Sequence, residues 1–213
     1  MQIDEAAWLE QNIKEWLQAR CGSLGSSLVA EALATDESKP YSSRHALIER
    51  LACERLTGIP RENYLSWKRQ HGKDLEPMAR AFYEINKGVL VRTVGLIKHP
   101  DIPGTHASPY GLVDDDGLVV IKSPRAATHI LCHVMASSLP DKYIKQLQWQ
   151  MAVTGRKWCD FVSYCPDLPA EKQFFVKRLI RDDKTIAIME KEIITVLSEV
   201  EDTIQQLKKG NIQ

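Results

Sequence analysis

The stretch from Ser108 to Pro124 carries the most chemistry in the chain. It reads Ser108-Pro109-Tyr110-Gly111-Leu112-Val113, then Asp114-Asp115-Asp116-Gly117, then Leu118-Val119-Val120-Ile121-Lys122-Ser123-Pro124. Two apolar runs separated by an Asp/Gly cluster predict a hairpin. Strand side chains alternate between faces, so Val120 and Lys122 share one side. A lysine in that place either lies at the solvent edge or faces a phosphate, and the frame around Lys122 favours the phosphate. A second cluster, His129-x-x-Cys132-His133, has metal-binding residue types. No second ligand pair stands at structural-zinc spacing, so it is read as structural. The cysteines Cys21, Cys53, Cys132, Cys159 and Cys165 are odd in number and fit no zinc pattern. They are expected to be reduced and partly buried.

The elements that must position these residues follow from periodicity. Apolar residues at helical spacing predict a helix from Glu5 to Arg20, broken by Gly22 and Gly25. Ser26 or Ser27 could cap a second helix through Leu33. Further helices are predicted over Ser43–Leu56, Lys73–Asn86 and Lys142–Val153. Strands are predicted over Val89–Ile97, Thr105–Val113, Leu118–Lys122, Trp158–Tyr164 and Gln173–Ile180. Residues 183–209 are expected to form a C-terminal amphipathic helix whose stripe Ile186, Met189, Ile193, Val196, Val200, Ile204 and Leu207 steps by three and four. Trp8, Trp16, Trp149 and Trp158 are expected in the core, and Lys68-Arg69 and Lys177-Arg178 as solvated charges.

With 213 residues, 44% hydrophobic and 26% charged, the chain is expected to form one domain over 1–213. No apolar run reaches the ~18 residues of a membrane span. The start Met1-Gln2-Ile3-Asp4-Glu5 lacks a secretory pattern, so a cytoplasmic location is expected. The 28 basic and 28 acidic residues give zero net charge. That argues against a generic polyanion binder, although charge segregated on one face would still serve nucleic acid.

The hairpin frame matches that of metal-dependent nucleases of the PD-(D/E)xK type. These place one acid on the first strand and an acid-x-Lys on the second. The chain resembles the phage lambda exonuclease and YqaJ-type viral recombinase family, which typically reads Ser-Pro-Asp-Gly-Leu, then Gly-Leu-x-Glu-x-Lys-Cys-Pro. Tyr110 stands at the Asp place and Val120 at the Glu place, and Lys122 alone of the three is kept. Gly72-Lys73-Asp74-Leu75-Glu76 with Ala79-Arg80 and Phe82-Tyr83-Glu84 is similar to the helix whose Glu, here Glu76, lies beside the metals. Tyr143-Ile144-Lys145-Gln146-Leu147-Gln148 is similar to the helix that supplies an active-site Gln, here Gln146. Trp16 to Gly22 with Ser26-Ser27 resembles the stretch that binds a 5′ phosphate, with those roles on Arg20 and Ser27. Gly25 stands where Thr is common, and Tyr164-Cys165-Pro166 departs from a usual Tyr-Asp-Pro. The matches span about residues 8–180 in the family's order.

The resemblance implies a restriction-endonuclease-like α/β fold with a central mixed sheet flanked by helices. It implies Mg2+-dependent 5′-to-3′ digestion of duplex DNA ends, leaving 3′ tails for a single-strand-annealing recombinase partner, by a homotrimer. A phenol is a poor ligand for Mg2+, and valine has no donor atom. What remains is Glu76 and the backbone carbonyl of Ile121, so weak or no Mg2+ binding is expected. The expected function is therefore a nuclease fold with hydrolysis lost or strongly impaired that still binds DNA ends or a partner. The alternatives are an active exonuclease using rearranged acids, for which Asp114–Asp116, Asp101 and His106 are the nearby candidates, and an assembly protein without a nucleic-acid role.

Overall fold

The computed structural model describes residues 14–34, 43–60, 67–134 and 139–210. Helix α1 (Lys14–Arg20) leads into the two-residue strand β1 (Leu24–Gly25), a 3-10 turn (Ser26–Leu28) and α2 (Val29–Ala32). The helices α3 (Ser43–Thr57) and α4 (Trp67–Lys87) follow. Then come β2 (Val91–Thr93), β3 (Ile97–Lys98), β4 (Thr105–Ala107), β5 (Gly111–Val113) and β6 (Gly117–Lys122). The chain continues through α5 (Ala126–Val134), α6 (Asp141–Thr154), β7 (Trp158–Tyr164), β8 (Phe174–Ile180) and α7 (Asp183–Gly210). The expected start of the first helix and Trp8 lie outside the described residues, as do the side chains of Lys68 and Arg69.

The main sheet is mixed, in the order β2-β5-β6-β7-β8. Strands β6 and β7 are parallel and the other pairs antiparallel. Alternation along β6 divides its residues between two layers. Leu118 and Val120 join Leu112, Cys132, Leu147, Met151 and Phe161 on the side covered by α5 and α6. Val119 joins Tyr83, Val91, Val113 and Val162 on the side covered by α4. A second sheet, β1-β4-β3, joins the apolar core built by α2, α3, α6 and α7. The predicted stripe on α7 is buried there from Ile186 to Ile204, whereas Leu207 near the helix end is exposed, and Arg44 of α3 ties to Glu199 at 2.6 Å.

Four expectations change. The run Thr105–Val113 is two strands in different sheets, because Pro109 lacks an N–H for a ladder and restricts Ser108 before it. The run Val89–Ile97 likewise splits into β2 and β3. Neither Ser26 nor Ser27 makes a side-chain cap, and the turn is entered from Gly25. Helix α5 was not anticipated. It carries His129, which bonds Ser163 Oγ at 2.8 Å and the Lys172 carbonyl at 2.7 Å, so this histidine is a satisfied core residue. Arg178 is no loose surface charge: it forks onto buried Asp160 with two 2.8 Å bonds and stacks 3.5 Å from the Trp158 ring centroid. Trp158 also seals the turn end of the β5/β6 hairpin. Its Nε1 donates to Asp116 at 3.0 Å, and a Cβ at Gly117 would fall 2.1 Å from its ring.

Candidate functional site

The β5/β6 hairpin presents its open end, away from the Asp114–Asp116 turn, to the site that the motif predicts. The register pairs Gly111 with Val119. One further step would set Tyr110 opposite Val120 on one face. The chain bends at Tyr110 instead, and its ring packs on the α4-side cluster, whereas Val120 is buried in the α6-side cluster. The two residues at the acid places thus face opposite layers. Burial pushes the Tyr110 phenol up to about 12; Glu76 adds to the shift and Arg80 opposes it. Tyr110 is therefore a neutral hydroxyl at ordinary pH, beside half-buried Glu76.

Lys122 sits at the end of β6 on the Val120 side. Burial lowers its ammonium pKa, and the nearby Lys142 lowers it further. Among the described residues no carboxylate pairs with it. The hydroxyls of Ser108 and Ser123, at the two open ends of the hairpin, are buried without a hydrogen-bond partner among the described residues. A half-buried cation and unsatisfied hydroxyls at one end of a hairpin are suited to a polar, anionic ligand. Gln146 is half-buried on α6, one residue before Leu147 of the cluster that holds Val120. The turn acids do not reach this end. They are four residues from Tyr110, ~13 Å of extended strand, and Asp116 is engaged by Trp158 and Lys157.

A second polar centre lies at the end of α1. The Arg20 guanidinium carbon stands 4.2 Å from the Trp16 ring centroid, so the side chain is aimed by stacking. The loop after it is tightly fixed. Gly22 has a φ of +66°, its N–H donates to Glu54 Oε2 at 2.8 Å, and its carbonyl accepts from Arg55 Nε at 2.9 Å. Gly25 pairs with His106 across the parallel β1/β4 ladder. Ser23 Oγ and His106 Nδ1 share a 2.8 Å hydrogen bond, and Ser26 Oγ accepts from Gln150 Nε2 at 3.3 Å. Ser26 is buried, which leaves Ser27 as the exposed hydroxyl of the turn. The structure therefore brings Arg20 and Ser27 into one loop system. It adds Ser23, His106 and Gln150, which no spacing rule marked. The single sequence clue was Gly25 in place of a hydroxyl residue.

A model of the YqaJ-like viral recombinase domain matches residues 15–157. The chain belongs to this family. Among solved structures, an alkaline exonuclease from Laribacter hongkongensis is 44% identical over 93% of this chain and 97% of its own, with a TM-score of 0.85. Its complex with dAMP gives a TM-score of 0.84 over the same spans. A phage-related exonuclease from Haemophilus somnus, 12% identical, covers 87% of this chain and 96% of its own with a TM-score of 0.70, and shares the fold. No curated protein sequence matches the chain. The fold is that of the phage-type alkaline exonucleases, and the YqaJ-like family carries the restriction-endonuclease-like core that the hairpin motif implied.

The donor set does not suit a hard divalent cation. Among the described residues no group of three or more His, Cys, Asp or Glu side chains gathers around a common point. The acid places hold a neutral phenol and an isopropyl group. No helix among the described residues is long and apolar enough to cross a membrane.

Proposed function

We propose that this YqaJ-like protein binds the ends of duplex DNA and has lost, or nearly lost, the power to cut them. The reading rests on one contrast at the open end of the hairpin: Lys122 is retained without a carboxylate partner among the described residues, while Val120 is buried among apolar side chains. Mg2+ in a nuclease of this fold would activate water and offset charge on the scissile phosphate. With Glu76 and the Ile121 carbonyl as the remaining oxygen donors at the predicted places, that contribution is missing. Its loss removes on the order of several kcal/mol, or orders of magnitude in rate.

The residues that remain can still hold DNA. Lys122 would face a backbone phosphate, with Gln146 and the orphaned Ser123 hydroxyl beside the same strand end. Arg20 and Ser27 would take the terminal 5′ phosphate, a role suited to a guanidinium fixed by stacking. The whole chain, 1–213, would act as one domain. A homotrimer around DNA and a single-strand-annealing recombinase as partner complete the proposal by family likeness.

The test is digestion of 5′-phosphorylated linear duplex with Mg2+ by the purified protein. Binding without digestion is expected, with activity appearing in the double variant Tyr110→Asp, Val120→Glu. Mg2+-dependent digestion by the unaltered protein, abolished by Lys122→Ala, would overturn the proposal.

A further inference from the structure

The exchange at Gly25 has a structural partner. A Cβ on Gly25 would lie 2.7 Å from His106 Nε2 and 3.1 Å from its Cε1, so the imidazole fills the room that a side chain at 25 would need. The same Cβ would lie 3.4 Å from an Arg20 guanidinium nitrogen. The backbone at Gly25 is ordinary extended chain, with a φ of −86°. Space, not conformation, therefore excludes a side chain at this position. His106 is 1% exposed and its Nε2 has no hydrogen-bond partner among the described residues, whereas its Nδ1 is bonded to Ser23 Oγ. An unsatisfied buried ring nitrogen is unfavourable unless a ligand or water completes it.

We infer that His106 is a specificity residue of the end-binding pocket, and that its Nε2–H donates a hydrogen bond to an oxygen of the terminal 5′ phosphate held by Arg20. The inference rests on the reading of Arg20 as the phosphate-binding residue. When the Ser23 hydroxyl donates to Nδ1, the ring proton resides on Nε2, which borders the same small space beside Gly25 as an Arg20 guanidinium nitrogen. Burial, and then the Arg20 charge, hold the imidazole pKa down at about 3, so the ring is a neutral donor and adds no charge beside the guanidinium. A terminal phosphate offers several oxygens, and a guanidinium fork leaves room for a further donor. A 5′-hydroxyl end would leave Nε2 unsatisfied, and this would set the preference between the two kinds of end.

The experiment compares binding of duplexes ending in 5′-phosphate and 5′-hydroxyl by fluorescence anisotropy, with EDTA present so that cleavage plays no part. His106→Ala is expected to reduce the phosphate-over-hydroxyl preference about tenfold, as loss of a charge-assisted hydrogen bond would. His106→Gln, whose amide can place an N–H near Nε2, is expected to keep most of it. Gly25→Ala should push the ring aside and lower the preference in the native background, yet have little further effect in the His106→Ala background. That non-additivity reads the contact even if each single variant loses some stability. An unchanged preference in His106→Ala, with loss of preference in Arg20→Ala, would overturn the role of His106 and leave the pocket standing. A wild-type protein that binds both ends equally would overturn the pocket itself and this inference with it.

Discussion

The Arg20 loop and the open end of the β5/β6 hairpin stand in contrast. The loop keeps its polar character and is held by deep hydrogen bonds: Glu54 to the Gly22 amide, Arg55 to the Gly22 carbonyl, Ser23 to His106, Gln150 to Ser26. At the hairpin the backbone frame is intact, but Tyr110 and Val120 have gone over to the apolar clusters on either side. On the proposed reading, binding and hydrolysis would reside in separable parts of the fold. One part can lose its oxygen donors while the other keeps its geometry.

The largest expected effect comes from forcing a carboxylate back into the apolar side. Val120→Glu alone should cost about 3 kcal/mol, because the charge has no partner there. For a chain of this size that lowers the Tm by roughly 6–12 °C. Binding of 5′-phosphorylated ends should persist, and added Mn2+ should restore Tm more when Tyr110→Asp is also present. Equal Tm values with and without metal in the double variant would show that the frame no longer forms a cation site. Next, Glu54→Ala should cost about 2 kcal/mol by stranding the buried Gly22 amide, and unlike Val120→Glu it should weaken preference for phosphorylated ends. Anisotropy on both variants separates the two regions directly.

A smaller effect comes from pH. The imidazoles of His106 and His129 are held below their ordinary value of 6.5, in both cases chiefly by burial. The unfolded chain takes up protons that the folded one does not. Stability is complete above about pH 6.5 and falls as pH drops through the window down to about 3 for His106. One such proton corresponds to ~1.4 kcal/mol per pH unit. Urea melts between pH 7 and 5 should show the decline, and His106→Gln should flatten it. The smallest effect is expected for Lys145→Ala, which removes the i,i+4 pair with Asp141 at 2.7 Å. It should change stability by a few tenths of a kcal/mol and alter neither region's behaviour.

Much of this arrangement was legible in the sequence, and the parts that were not have physical reasons. Periodicity marked α3, α6, β7, β8 and α7 to within about a residue or two, helped by turn residues at their ends such as Gly58 after α3 and Gly155 after α6. The motif set Val120 and Lys122 on the second strand of the hairpin, where the structure has them, with Tyr110 just before the first. The strand alternation rule failed at Tyr110, since Pro109 ends the ladder before it and a bulky ring can turn to a different layer. His106 stood in the sequence only as a neighbour of the hairpin, because its place beside Arg20 depends on a parallel pairing with Gly25, eighty-one residues earlier in the chain. Asp160 with Arg178 was hidden for the same reason: a charge in an apolar strand gives no local sign of the partner that lies across the ladder.

The seal that Trp158 places over Gly117 bears on how such a lineage can change. It pins the turn end of the hairpin, where Val113 pairs with Gly117, while the ladder stops at Gly111 and Val119 before Tyr110. On the proposed reading, the two replaced side chains sit at the end of the hairpin that this seal does not hold, so they can change while the turn end stays pinned.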